Sequence, residues 1–109
     1  MDLQIGQPFW DKYIAETNNY NIPTKAVRWY VKRAEQYINA NPELPLDRHT
    51  PMDVEKYLKG TGRMRRLQDW QFKQVVDSLR ILFVSVVHAQ WASEFPWDFW
   101  LGLSSSFWL

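Results

Sequence analysis

Between residues 56 and 73 the chain carries Lys56, Lys59, Arg63, Arg65, Arg66 and Lys73 against a single acid, Asp69. Earlier, Lys25, Arg28 and Lys32 recur three and four residues apart, the spacing that puts side chains on one side of a helix. Cations grouped this way neutralise phosphates, and the amides of Gln68, Gln71 and Gln74 are long enough to reach base edges. A helix N-terminus directed at a phosphate would add its dipole. The chemistry so indicated is polyanion binding. The plain alternative for the same residues is a solvated basic face.

Net charge hides this pattern. The whole chain sums to +1, but residues 25–80 hold twelve Lys and Arg against seven acids, while the segments on either side are each −2. A local excess, not the total, is what a polyanion meets.

Other chemistries find little support. With no Cys there is no disulfide framework, no Cys-based zinc site and no thiol nucleophile. Four scattered glycines contain no phosphate-binding loop, since Gly60 and Gly62 lack a preceding strand. His49 and His88 have no partner at ligand spacing, so both are expected in structural roles. Ser104, Ser105 and Ser106 have no nearby base and look like a flexible linker. The pairs Asp53/Glu55 and Asp11/Glu16 fit helix-surface acids. The expectation is a chain with no catalytic residues, no metal, no cofactor and no small-molecule substrate.

The elements that must carry the basic faces are helical. Pro8 suits the start of a first helix, and Trp10, Tyr13, Ile14 and Thr17 follow at helical spacing until Asn18 and Asn19. After Pro23, Thr24 is placed to cap a second helix whose apolar stripe is Val27, Tyr30, Val31, Ala34, Tyr37 and Ile38. Asn41 and Pro42 stop it, and residues 42–45 form a stiff linker. Thr50, Pro51 and Asp53 give the clearest start signal: a cap, Pro at N1 and an acid at N3. Val54, Tyr57 and Leu58 make this third helix apolar on one side, and Gly60 and Gly62 are expected to close it.

A fourth helix is expected from about residue 68 to about residue 92, with Phe72, Val75, Val76, Leu79, Leu82, Phe83, Val86 and Val87 along its stripe. Its second half is apolar nearly all round, as in a centrally buried helix. Lys73, Asp77 and Arg80 are spaced to pair along a solvent-facing edge. Pro96 ends any continuation. No segment alternates with period two and no repeat appears, so the fold class is all-α.

At 109 residues, 46% of them apolar, the chain suits one globular domain. The longest nearly apolar run, residues 81–87, falls far short of the roughly 20 needed to span a bilayer. No signal-peptide pattern opens the chain, and a soluble, cytoplasmic protein is expected. Trp is over-represented: four of seven lie in the last nineteen residues, at 91, 97, 100 and 108. Exposed aromatic patches usually mark contacts. This tail is therefore expected either to fold back or to support self-association.

Three features in order resemble a known family: a Thr-led helix with a central Tyr (Thr24, Tyr30), an acid-Val-x-x-Tyr-Leu helix (Asp53, Val54, Tyr57, Leu58), and Gln-x-x-x-x-Leu-x-x-Leu-Phe (Gln74, Leu79, Leu82, Phe83). Residues 7–92 resemble the N-terminal SAM-like, core-binding domain of tyrosine recombinases (phage integrases), integron integrases in particular. The resemblance implies a four-helix SAM-like bundle over residues 1–92 and an aromatic tail, 93–109, leading toward an absent catalytic domain. It implies half of a clamp around duplex DNA in integration and recombination, with contacts from the second and fourth helices. Carried onto this chain, the DNA-binding positions are Thr24, Lys25, Arg28, Lys32, Arg63, Arg65, Arg66, Gln71, Lys73 and Gln74.

The family's catalytic Arg, Lys, His and nucleophilic Tyr belong to a following domain and have no counterpart here. There is no His-x-x-Arg, and all five Tyr precede the fourth helix. Tyr30, Tyr37 and Tyr57 are expected at the core or its edge. The alternative reading is a helical protein-interaction module whose basic face is merely solvated.

Overall fold

The computed structural model describes residues 6–64, of which 62–64 by backbone only, and residues 67–102. All regular structure among them is helical. The first helix, α1 (Gln7–Asn19), starts with Pro8 in its first turn and buries Phe9, Tyr13 and Thr17, four residues apart. Ile14, expected on that face, is instead exposed. Asn21 then adopts left-handed backbone geometry (φ 59°), which a short polar side chain tolerates, and turns the chain.

Helix α2 (Thr24–Ala40) buries Tyr30, Ala34 and Tyr37, with Val31 and Ile38 half-buried beside them. Its cap differs from expectation. Pro23 takes the N-cap position, Thr24 is the first helical residue, and its hydroxyl makes no capping bond. The carbonyl of Pro23 already accepts from Ala26 N–H at 2.8 Å. The linker that follows includes a 3-10 turn, Leu46–Arg48, that buries Leu46.

Helix α3 (Pro51–Met64) opens as its sequence dictates. The Asp53 carboxylate accepts from Thr50 N–H at 2.7 Å and from the Thr50 hydroxyl at 2.9 Å. These bonds hold the Asp53 carboxyl below the usual carboxylate range. The helix does not close at Gly60 or Gly62 but runs on to Met64, because neither glycine takes a positive φ. Glycine in a helix costs about 1 kcal/mol relative to alanine, which packing of Val54 and Leu58 outweighs.

Helix α4 (Asp69–Arg80) continues into a π-helical turn, Ile81–Val86, and ends there. The single helix expected to reach residue 92 is therefore too long. The cause is local: Val87 N–H reaches Leu82 O at 2.8 Å, Ala89 N–H reaches Phe83 O at 2.9 Å, and His88 adopts φ 57°. The widened turn still buries Ile81, Leu82, Phe83 and Val86 on several sides. The chain then reverses, so that Trp91 donates its indole N–H to His49 O at 2.9 Å. A short helix, α5 (Trp97–Leu101), closes the described chain.

With its π turn, α4 is the central element: α2, α3 and α5 pack on α4, and α1 packs on the π turn and α2. Phe95, Trp97 and Trp100 are buried in the same core cluster as Tyr37 and Phe83. The packed core therefore does not stop at residue 92; the described part of the tail folds back onto it. Phe107 and Trp108 lie outside the described residues. No helix among the described residues is long and apolar enough to cross a membrane.

The core is closed by satisfied polar groups. Tyr13 donates to Ser78 O at 3.0 Å and lies 3.3 Å from Tyr30 O. His49 Nε2 stands 3.0 Å from Leu44 O, which can only accept, so Nε2 carries the proton. In the neutral ring Nδ1 then accepts from the Tyr37 hydroxyl at 2.7 Å. Burial pushes the Tyr37 phenol well above its ordinary value, which keeps it a donor.

Candidate nucleic-acid interface

The stripe that α2 turns toward the core is Tyr30, Ala34 and Tyr37. At 100° per residue, Lys25, Arg28 and Lys32 fall on the opposite side, and all three are exposed. Trp29 stands beside them, 42% exposed. The Arg28 guanidinium carbon lies 5.0 Å from the centre of the indole and Lys32 Nζ lies 5.7 Å from it. None of these three cations forms an ion pair among the described residues, even though exposed Glu35 lies one turn from Lys32. Thr24 is exposed at the start of the same helix.

The contacts fix how α4 stands relative to this face. The Tyr13 hydroxyl ties the level of Tyr30 to that of Ser78, and the Tyr37 ring meets the Phe83 ring at 5.7 Å. Helices α2 and α4 thus run in the same general direction, with their N-terminal turns at one end. Lys73 is exposed there and Gln74 half-buried, but no bond or ring contact among the described residues joins them to the α2 cations. Gln71 is occupied: its Oε1 accepts from Gln68 N–H at 2.8 Å, capping α4. Reading a base edge with that oxygen would forfeit a cap worth about 1 kcal/mol. Arg65 and Arg66 lie outside the described residues, as does the side chain of Arg63.

Asp77 and Arg80 pair as their spacing predicts, at 2.7 Å, but the pair is set partly into the surface and not on a solvent-facing edge. Arg80 also lies 5.0 Å from the centre of the Tyr20 ring. Burial raises the Asp77 carboxyl above its usual range, and Arg80 opposes that only in part. The pair joins α4 to the end of α1 and contributes no free cation.

Among the described residues no group of His, Asp and Glu could hold a metal ion. An open groove of about 450 Å³ between the end of α2 and α3 is lined by Asn41, Asp53, Lys56, Tyr57 and Thr61. It holds charges of both signs and no nucleophile paired with a base.

The residue that sequence reasoning missed at the basic face is Trp29. Its signal was present: Trp29 falls one residue after Arg28, three before Lys32 and four after Lys25. Comparison with protein-family models, curated proteins and solved structures finds no match to this chain.

Proposed function

We propose that this chain is a DNA-binding module that engages duplex DNA through the outward face of α2. The observation that carries the reading is the group Lys25, Arg28 and Lys32: exposed, without ion-pair partners among the described residues, and opposite the stripe that holds the fold together. Cations in that state are matched by bulk counter-ions, and exchanging those for phosphates releases ions to solution. The more specific form, the core-binding module of a tyrosine recombinase with catalysis in another domain, rests on the sequence resemblance alone. A cytoplasmic location goes with it.

The test is fluorescence anisotropy with a labelled duplex over a range of salt. Three phosphate contacts give a slope of log K against log salt of about −2.7. Arg28→Glu with Lys32→Glu should weaken binding and remove about 2 from the size of that slope. Unchanged affinity in the double variant would remove this face from the proposal. A second reading, a helical protein-interaction module able to self-associate, is favoured by Trp70 and Phe99, both more than half exposed. Absence of duplex binding at low salt selects it.

A further inference from the structure

Cations alone bind any polyanion. What distinguishes the α2 face is the indole among them. Trp10, Trp91, Trp97 and Trp100 each pack edge-on or tilted against another aromatic ring; Trp29 has no such partner among the described residues and touches the two cations instead. Leaving an indole 42% exposed forgoes the burial that Trp97 and Trp100 obtain. Its N–H is a single donor, poorly suited to reading base edges, whereas its flat face suits the apolar surface of a deoxyribose. Arg28 and Lys32 stand one helical turn apart, about 6 Å along the axis, comparable to the step between successive phosphates of one strand.

We propose that Trp29 makes the α2 face a nucleic-acid site rather than a general polyanion site: Arg28 and Lys32 hold phosphates while the indole lies against the deoxyribose between them. This rests on the DNA-binding reading above and adds to it a claim about contact chemistry. Phosphate contacts set the salt dependence, and the indole contributes apolar burial that salt does not screen.

The experiment compares the full chain with Trp29→Ala and Trp29→Phe, titrating a labelled duplex and, separately, heparin, at several salt concentrations. Circular dichroism and thermal melting confirm the fold of each variant. Trp29→Ala should lose roughly 3- to 10-fold in duplex affinity, the scale of burying a few tens of Å² of apolar indole surface against the sugar, with the salt slope unchanged and heparin affinity held within about two-fold. Trp29→Phe should recover most of the loss. Equal losses on duplex and heparin, or duplex affinity unchanged in Trp29→Ala, would overturn the role of Trp29 while leaving duplex binding by Arg28 and Lys32 intact. Failure of the unmodified chain to bind duplex at low salt would overturn both.

Discussion

Trp97→Ala asks whether the aromatic tail belongs to the fold. Trp97 is 6% exposed, its ring centre lies 4.4 Å from that of Phe95, and its indole N–H donates to Ala92 O at 2.9 Å. Truncation removes the buried ring and leaves a cavity, which for Trp or Phe in a core costs about 3–5 kcal/mol. It also removes the donor from the Ala92 carbonyl, which water entering the cavity can replace, so the cost stays within that range. A total near 4 kcal/mol is a large share of the 5–15 kcal/mol typical of a domain. At about 4 °C per kcal/mol for a chain of this size, the melting temperature should fall by about 12–20 °C. Trp97→Phe keeps most of the packing and loses the hydrogen bond, so a drop of about 1–2 kcal/mol is expected. The assay is urea unfolding followed by far-ultraviolet circular dichroism, since seven tryptophans confuse a fluorescence signal. A loss below 0.5 kcal/mol in Trp97→Ala would place the tail off the core and refute the packing described above.

Two carboxylates should respond to pH with opposite sign. Asp53 is held below its ordinary range, so it stabilises the fold above its unfolded value and that support is lost as pH falls through the folded one; relative to Asp53→Asn, the unmodified chain should gain stability as pH rises through the acid range. Asp77 is raised by burial, so its contribution is greatest below the unfolded value and is lost as pH rises through the folded one; relative to Asp77→Asn, the chain should lose stability over the same rise. Urea midpoints against pH for both variants check this, and parallel trends would contradict it. Tyr37→Phe strips the donor from buried His49 Nδ1 and should cost about 1–3 kcal/mol by urea unfolding, whereas a neutral result would mean that the ring takes another tautomer or another partner.

Helices α1 to α4 were legible because each combines a period near 3.6 with its own punctuation. The Thr50–Asp53 cap and the Tyr30–Ala34–Tyr37 stripe were found where their types and spacing put them. What was not legible depends on distant partners. The end of α4 is set by the π turn and by His88, and nothing in a run of apolar residues says which carbonyl an amide will choose. Gly60 and Gly62 looked like stop signals, but a glycine ends a helix only when it turns left-handed. Gln71 looked like a base reader until its oxygen was found on the Gln68 backbone. Of the proposed site, the α2 cations were legible from spacing alone, while Trp29 gains meaning from its place against Arg28 and Lys32.

The separation of faces on α2 gives the binding tests their force. Its core side and its cationic side lie on opposite flanks of one helix, so Arg28 and Lys32 take no part in the Tyr30–Ala34–Tyr37 contact with α4. Substitutions at exposed positions away from caps and core usually change stability by less than about 0.5 kcal/mol. Charge reversal at Arg28 and Lys32 should therefore leave the melting temperature within about 2 °C and act on binding alone. The same cannot be said of Gln71, where a binding defect and a lost cap would arrive together, nor of Arg80, whose removal would strand the half-buried Asp77 carboxylate. A loss of DNA affinity at Arg28 and Lys32 with an unshifted melt can be assigned to the surface; a loss at Gln71 or Arg80 cannot, and those positions should not be used to argue for or against it.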